Sequence, residues 1–233
     1  LAVEGGFLPD EITPHPPLRA AKRKKQWTLE LDETAAGVGE LTVFGGMKTK
    51  DIDVVVSKPG IGPVVAISVK GTTKAPRNLV NRMEEAIGDS TNLHVMYPGL
   101  VYGFLHLIRA NRPAPGRDPR DLGVGADGKV IPGLQRYFAA LTEMTGRQYV
   151  RNDYTRYEAV AFAIVENDSE RCGEIFDGFP LADSPLRIEK FFNRLYGVYD
   201  LRFPFRGESV RNAQRIAWDA DSPFFRDLEE PEP

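Results

Sequence analysis

Val64-Val-Ala-Ile-Ser-Val-Lys70 is the segment from which the fold is most directly predicted. It is a short run of apolar, mostly β-branched residues, and such a run predicts a buried β-strand. Asp51-Ile-Asp-Val-Val-Val56 precedes it and has the same character. Segment 58–63 between them contains two prolines and two glycines, which predict a turn. The two strands are therefore expected to form a hairpin.

Side-chain alternation makes the end of this second strand unusual. Ser68 and Lys70 are predicted on one face and Val69 on the other, because successive side chains of a strand point to opposite faces. Ending a buried strand with a lysine beside a serine is costly unless something anionic lies on that face. Asp53 stands near the start of the preceding strand. The hairpin would bring Asp53 and Lys70 to one end of the sheet.

The remaining elements follow from periodicity and from glycine and proline positions. An order of strand, strand, helix, strand predicts an α/β fold with a mixed β-sheet flanked by helices. Further strands are predicted over residues 41–44, 101–108 and 157–165, and helices over residues 18–31, 76–87 (with a stop at Gly88), 134–145 and 186–199.

Glu84 is the residue of the predicted 76–87 helix that decides whether a second carboxylate can reach the site beside the sheet. At 100° per residue an apolar stripe forms along this helix, with Glu84 at its edge and Glu85 on the opposite, solvent side. A glutamate at the rim of a buried face can reach a site beside the sheet. Two carboxylates and a backbone carbonyl form an oxygen-rich site suited to Mg²⁺, and a neighbouring lysine can orient a water molecule. The stripe is Leu79, Val80, Met83, Ala86 and Ile87.

Composition excludes several classes of protein. The chain has 233 residues with 42% hydrophobic and 27% charged residues, which is typical of one globular domain and excludes overall disorder. Cys172 is the single cysteine, so an internal disulfide framework is excluded, and three histidines argue against a structural zinc site. No run approaches the ~20 apolar residues of a membrane helix, and no signal peptide is recognisable. We expect a cytoplasmic protein without membrane contact.

The charge is unevenly distributed along the chain. The net charge is −3, but from Ala217 onward six acids face one base, so residues 1–216 carry +2 and the tail carries −5. Basic residues cluster in segments 19–25 and 109–120, and such patches suit phosphates. We divide the chain into an N-terminal extended arm and basic helix, a core segment, a long mobile basic loop, a C-terminal part and an acidic tail; these are residues 1–40, 41–108, 109–133, 134–216 and 217–233.

The core segment resembles the PD-(D/E)xK nuclease superfamily, the fold of type II restriction endonucleases. In that family an Asp begins one strand of a hairpin and an acid-x-Lys closes the next; here the first acid resembles Asp53, or alternatively Asp51, and Ser68-Val69-Lys70 takes the second position. Some members carry Ser-x-Lys and supply the displaced glutamate about fourteen positions after the lysine. Glu84 lies fourteen positions after Lys70.

The resemblance covers residues 40–108, less than a third of the chain, and the motif departs from the family pattern at three places. Lys50 stands where a proline would precede Asp51, Ile52 precedes Asp53, and Ser68 replaces the usual acid.

The resemblance implies a single nuclease domain with a restriction-endonuclease-like core, and 41–108 as its catalytic part. Asp53, Glu84 and the carbonyl of Val69 would bind Mg²⁺, with Mn²⁺ able to substitute, and Lys70 beside Ser68 would activate the attacking water. The substrate would be double-stranded DNA. A homodimer is expected if the target sequence is palindromic. A bacterial or phage origin follows from the resemblance alone.

Two other functions remain open at this point. One is a catalytically inactive, nuclease-fold protein that binds nucleic acid, with Ser68 as the sign of a lost active site. The other is a structure-specific nuclease of DNA repair or recombination.

Overall fold

The computed structural model describes residues 1–73, 79–167, 171–204 and 213–229. In chain order its strands and α-helices are β1 (Ile12–Thr13), β2 (Leu18–Arg23), β3 (Gln26–Leu31), β4 (Leu41–Val43), β5 (Lys50–Ile52), β6 (Val54–Lys58), β7 (Gly62–Thr72), α1 (Leu79–Met96), β8 (Val101–Arg109), α2 (Pro132–Glu143), β9 (Ala159–Val165), α3 (Ile188–Arg202) and α4 (Pro223–Glu229).

The main sheet has five strands in the order β1-β6-β7-β8-β9. β6 and β7 form the predicted antiparallel hairpin, with Val55 opposite Ala66. β7, β8 and β9 run parallel, with Lys70 beside His106 and His106 beside Phe162. The predicted α/β class with a mixed sheet flanked by helices is confirmed. β2–β3 and β4–β5 form two separate two-stranded sheets.

Hydrophobic cores lie on both faces of this sheet, which explains why β7 reads as a continuous apolar run. Ala66 on one face packs with residues of α1 and α2. Val65 and Ile67 on the other face pack with Phe191 of α3. α3 approaches β8 so closely that a Cβ on Gly103 would lie 2.6 Å from the Phe191 ring. The helices thus hold the Ser68 and Lys70 face of β7 against α1.

The predicted helix over residues 18–31 is wrong, because β2 and β3 form a hairpin there. Their register pairs Lys22 with Trp27 and Arg23 with Gln26, which leaves Lys24 and Lys25 as a two-residue turn. The lysines and arginines are good helix formers and favoured the wrong assignment. The aromatic and β-branched pair Trp27-Thr28 suits a strand, and tertiary packing decides in its favour.

The N-terminal segment is not an extended arm either. Ala2 and Phe7 are buried in the core beside α3. β1 adds an edge strand to the sheet, with Ile12 opposite Val56. Pairing with β6 and burial of Phe7 hold the segment in place despite its four prolines.

Two element boundaries also differ from the prediction. The strand predicted over 51–56 is divided into β5 and β6, and Asp53 lies at the break between them. α1 does not stop at Gly88 but continues to Met96, because a glycine inside a helix costs only about 1 kcal/mol. Pro76, in the predicted first turn, lies outside the described residues. The other predicted strands and helices are confirmed, with ends shifted by a few residues.

The long loop after β8 is held by specific hydrogen bonds. The side-chain amide of Asn111 donates to the carbonyls of Thr73 and Asp121 at 2.8 and 2.9 Å. Val124 pairs with Val130 in an isolated β-bridge. Among the described residues, no helix is both long and apolar enough to cross a lipid bilayer.

Candidate active site

Asp53 is placed by the break between β5 and β6. Its Oδ2 accepts a hydrogen bond from the Val69 backbone N–H at 2.8 Å, so the carboxylate lies directly beside the end of β7. Asp51, the alternative first acid, is exposed on the small β4–β5 sheet and accepts a hydrogen bond from Thr42 instead. The geometry therefore favours Asp53 over Asp51 as the acid next to Lys70.

Ser68 and Lys70 lie on the same face of β7, as the alternation predicts. The Ser68 hydroxyl is buried and shares a hydrogen bond of 2.8 Å with the hydroxyl of Tyr102 on β8. Lys70 is half-buried at the edge of a cavity of about 10 Å³, which has room for one water-sized particle. We call this space the Lys70 cavity; its polar lining is Ser68, Lys70, Arg82, Glu85 and Asp89.

α1 presents Glu85, not Glu84, to the Lys70 cavity. Glu84 is exposed and does not line the cavity, whereas Glu85 is half-buried and does. The expectation that Glu84 faces the site while Glu85 faces solvent is therefore wrong. The spacing of fourteen residues from Lys70 therefore selects Glu84, which does not line the cavity, instead of Glu85, which does.

The error in helix phase has a physical cause. Val80 and Ile87 belong to the apolar stripe but are 67% and 37% exposed. Asp89 and Ser90 are buried instead. The buried face of α1 is thus rotated toward polar residues that find partners inside the protein, and an apolar stripe alone cannot locate such a face.

Two cations, Lys50 and Arg82, neutralise the acids of α1. Lys50 Nζ lies 2.7 Å from Asp89 Oδ2 and 4.0 Å from Glu85 Oε1. Arg82 Nη1 lies 2.7 Å from Glu85 Oε2. Within the described part of the chain Lys70 makes no ion pair, so its ammonium group is available to a ligand.

The charges around Glu85 set its protonation. Burial raises the pKa of Glu85, but the hydrogen bond and charge of Arg82 and the charges of Lys70 and Lys50 outweigh this effect. The pKa of Glu85 is therefore below its ordinary value, and the side chain is a carboxylate at neutral pH. It can accept hydrogen bonds or bind a cation.

Two aromatic side chains of β8 lie next to Ser68 and Lys70: the Tyr102 hydroxyl is hydrogen-bonded to Ser68, and His106 is the register partner of Lys70. Burial raises the pKa of Tyr102, so its hydroxyl keeps its proton. Burial, followed by the charges of Arg82 and Lys70, lowers the pKa of His106 to about 4. His106 Nδ1 shares a hydrogen bond of 2.5 Å with the Tyr137 hydroxyl. At neutral pH both Tyr102 and His106 are therefore uncharged.

A buried ion network supports the strand that carries Tyr102. Glu158 accepts hydrogen bonds from Arg147 and Arg202, both at 2.6 Å, and from the Tyr102 backbone N–H at 2.7 Å. His94 Nε2 of α1 lies 3.2 Å from the same carboxylate. Glu158 thus joins α1, β8 and α3 behind the cavity.

Sequence reasoning missed Lys50, Arg82, Glu85 and Asp89 as members of the site. Asp89 lies four positions after Glu85, a spacing that places two acids on one helix face. That pair, together with Arg82 three positions before Glu85, was the signal available in the sequence.

The oxygen donors near Lys70 determine which metal ion the site could hold. The described residues contain no group of three or more histidine, cysteine, aspartate or glutamate side chains placed to hold a metal ion. Asp53 and Glu85 are hard oxygen donors; Asp53 lies beside the Val69 N–H at the end of β7, and Glu85 lines the Lys70 cavity. The N–H and the C=O of a residue in an extended strand point to the same edge, so the Val69 carbonyl is directed to the Asp53 side as well. These three groups suit a cation of the Mg²⁺ type.

No protein-family model, curated protein or solved structure matches this chain. Its function is therefore inferred from the geometry at the end of β7 and in the Lys70 cavity.

Proposed function

We propose that the protein is a metal-dependent endonuclease that hydrolyses DNA phosphodiester bonds, in the manner of a type II restriction endonuclease with a restriction-endonuclease-like core. The observation that carries the proposal is the arrangement at the end of β7: Asp53 accepts a hydrogen bond from the Val69 N–H at 2.8 Å, and Lys70 and Glu85 line the Lys70 cavity. Carboxylates, together with a lysine that makes no ion pair within the described residues, are groups that can support metal-assisted hydrolysis of a phosphodiester.

Each residue has a distinct task in this proposal. Asp53, Glu85 and the Val69 carbonyl would hold Mg²⁺ or Mn²⁺; the ion supplies polarisation of the phosphate and a bound water of lowered pKa. Lys70 donates hydrogen bonds to the attacking water or to the phosphate oxygen where negative charge develops. Ser68 fixes the end of β7 through Tyr102 rather than binding the metal.

The sharpest test uses two neighbouring glutamates as a matched pair. Purified protein is incubated with DNA of varied sequence and Mg²⁺, and rates are compared for Glu85→Gln, Glu84→Gln and Lys70→Ala. We expect Lys70→Ala and Glu85→Gln to lower the cleavage rate by about 10²-fold or more. Glu84→Gln, which changes an exposed side chain, should stay within about twofold of the parent protein.

The cleavage rates of these variants show whether the Lys70 cavity is the active site and which glutamate is the second acid. Cleavage that survives Lys70→Ala unchanged would exclude the Lys70 cavity as the active site. Loss of cleavage in Glu84→Gln with normal cleavage in Glu85→Gln would return the second acid to position 84.

A second function has an observation in its favour. Lys50 and Arg82 already neutralise the α1 acids, as expected if the fold had lost its metal and become a nucleic-acid-binding protein. Calorimetric titration with Mn²⁺ discriminates the two. An enzyme should bind the ion and lose this binding in Asp53→Asn, whereas an inactive protein should bind DNA without any metal site at Asp53.

The same purified protein can be used to determine the form of the DNA substrate and the oligomeric state. Branched and linear duplexes offered side by side would distinguish a repair or recombination nuclease from a restriction enzyme. Sedimentation of the protein with and without a palindromic duplex tests the proposed homodimer.

A further inference from the structure

The tip of the β2–β3 hairpin carries four consecutive cations. Lys22, Arg23, Lys24 and Lys25 are all exposed, and the next residue, Gln26, is exposed too. We call residues 22–25 the basic ribbon tip. The ribbon thus presents four exposed cations at its tip, in a protein whose net charge is −3.

The base of the ribbon is firmly anchored. Leu18 of β2 and Leu29 of β3 are buried in the core beside α3. The Trp27 carbonyl accepts a hydrogen bond from the Asp219 N–H at 2.8 Å, in the segment before α4. An anchored base and an exposed tip make the ribbon a fixed projection, which reduces the entropy lost on binding a partner.

Little of the tip charge is neutralised within the protein. Glu30 accepts from Arg19 at 2.6 Å and lies 3.7 Å from Arg23. Lys22 lies over the Trp27 ring, 5.4 Å from its centroid. Within the described residues, neither Lys24 nor Lys25 makes an ion pair.

The turn itself retains a lysine at a position that disfavours it. Lys24 has a φ of 57°, in the left-handed region, where a residue with a Cβ costs about 1 kcal/mol relative to glycine. Two-residue hairpin turns favour glycine, asparagine or aspartate at such positions. Residues whose backbone conformation disagrees with their local preference are typical of functional sites. We therefore infer that a lysine stands at position 24 because of its charge.

We propose that the basic ribbon tip is a DNA-binding element that enters the major groove of a duplex. A major groove about 12 Å wide admits a two-stranded β-ribbon, and lysines and arginines at its tip reach the phosphates on either side. The choice of duplex DNA as the partner rests on the proposed function. The tip would position the duplex while the Lys70 cavity acts on one phosphodiester.

The test measures binding without cleavage. Fluorescence anisotropy of a labelled short duplex is recorded in EDTA over a series of salt concentrations, so that no metal-dependent reaction takes place. We compare the parent protein with Lys22→Ala/Lys24→Gly/Lys25→Ala. Each lost phosphate contact lowers the slope of log K against log salt by about 0.9, so the triple variant should lose about 2 to 3 from the slope.

A matched control removes the same net charge elsewhere. Lys129→Ala/Arg136→Ala/Arg151→Ala changes three exposed cations outside the β2–β3 hairpin. This control should change the slope by less than about 1. Equal losses in the two triple variants would show that overall charge, not the tip, governs binding, and would overturn the proposal.

Lys24→Gly alone separates structure from function. Relief of the left-handed φ should raise the melting temperature by about 2 to 4 °C while DNA binding weakens. A variant that is more stable and binds as tightly as the parent protein overturns the role of Lys24. Equal affinity for a single strand and for the duplex overturns entry into the groove.

Failure of this proposal is distinguishable from failure of the nuclease proposal. Loss of binding in the ribbon variant, with no cleavage by any preparation, would support the ribbon and reject the enzyme. Normal cleavage with an unchanged KM in the ribbon variant would reject the ribbon and leave the enzyme in place.

Discussion

Glu158→Gln is the substitution whose effect the structure determines most closely. Glu158 is fully buried, as is Arg147, and the Arg202 side chain is 4% exposed. The substitution keeps the size of the side chain but removes its charge. Two buried guanidinium groups would then lack a counter-charge.

The magnitude follows from the contacts that are lost. Oε1 of Glu158 accepts from both guanidinium groups at 2.6 Å, and Oε2 accepts from the Tyr102 N–H at 2.7 Å. The amide of glutamine replaces one of these acceptor oxygens with an NH₂ donor. Removing one partner of a buried ion pair costs about 3–5 kcal/mol. For a chain of this length that corresponds to a fall in melting temperature of about 6–20 °C.

The same network predicts a pH dependence. Burial raises the pKa of Glu158, but the hydrogen bond and charge of His94 and the charge of Arg202 outweigh it, so the pKa is lowered from its ordinary value of 4.5. Its contribution to stability is therefore present above about pH 4.5 and is lost as the pH falls through the folded-state pKa. The glutamine variant lacks this contribution, so the gap between the two proteins should narrow in acid.

Thermal unfolding followed by circular dichroism at pH 7 and at pH 4 measures both effects. Glu189→Gln is the control, because Glu189 forms an exposed ion pair with Arg187 at 2.7 Å and should change the melting temperature little. If Glu158→Gln unfolds at nearly the same temperature as Glu189→Gln, the network does not hold α1, β8 and α3 together, and the reasoning fails.

Two further predictions concern the charges around the Lys70 cavity. Lys50→Ala should lower the free energy of unfolding in urea by about 3 kcal/mol, because it leaves the Asp89 side chain, which is 5% exposed, without its partner. Arg82→Ala should lower it by less than about 1 kcal/mol, because the Arg82 side chain is 41% exposed. Equal effects of the two substitutions would contradict the buried Lys50–Asp89 pair. The pKa of His106 is lowered to about 4, so its ring should remain neutral by NMR from pH 8 to pH 5. In the unfolded state the same ring takes up a proton near pH 6.5. The free energy of unfolding should therefore fall as the pH drops from 6.5 toward 4. A ring that titrates near 6.5 would show that His106 is not buried as described.

The part of the fold that the sequence predicts is the part where hydrophobicity alone decides. β7 is buried on both faces, so its apolar run is unmistakable, and the turn at 58–63 then requires a hairpin. The alternation of Ser68 and Lys70 follows from the strand period without any tertiary information. These steps also placed Asp53 correctly beside the end of β7.

The errors arise where polar residues are buried or where local propensity is overridden. α1 buries Asp89 because Lys50, thirty-nine positions earlier in the sequence, supplies a counter-charge. Helix propensity favoured a helix over 18–31, yet the ribbon is fixed by burial of Leu29 and by Trp27, which contacts the segment before α4. Neither long-range partner can be identified from one sequence.

The charge balance of the cavity sets a condition on the proposed chemistry. Lys50, Lys70 and Arg82 balance three carboxylates, those of Glu85 and Asp89 at the cavity and that of Asp53 beside the Val69 N–H, so these six groups together are neutral. Adding a divalent cation alone would leave an excess of two positive charges in a half-buried space, which is unfavourable. A DNA phosphate brings negative charge to the same place, and Mg²⁺ is typically bound by one or two carboxylates together with substrate phosphates. On the proposed function, metal and DNA should therefore bind more tightly together than either does alone.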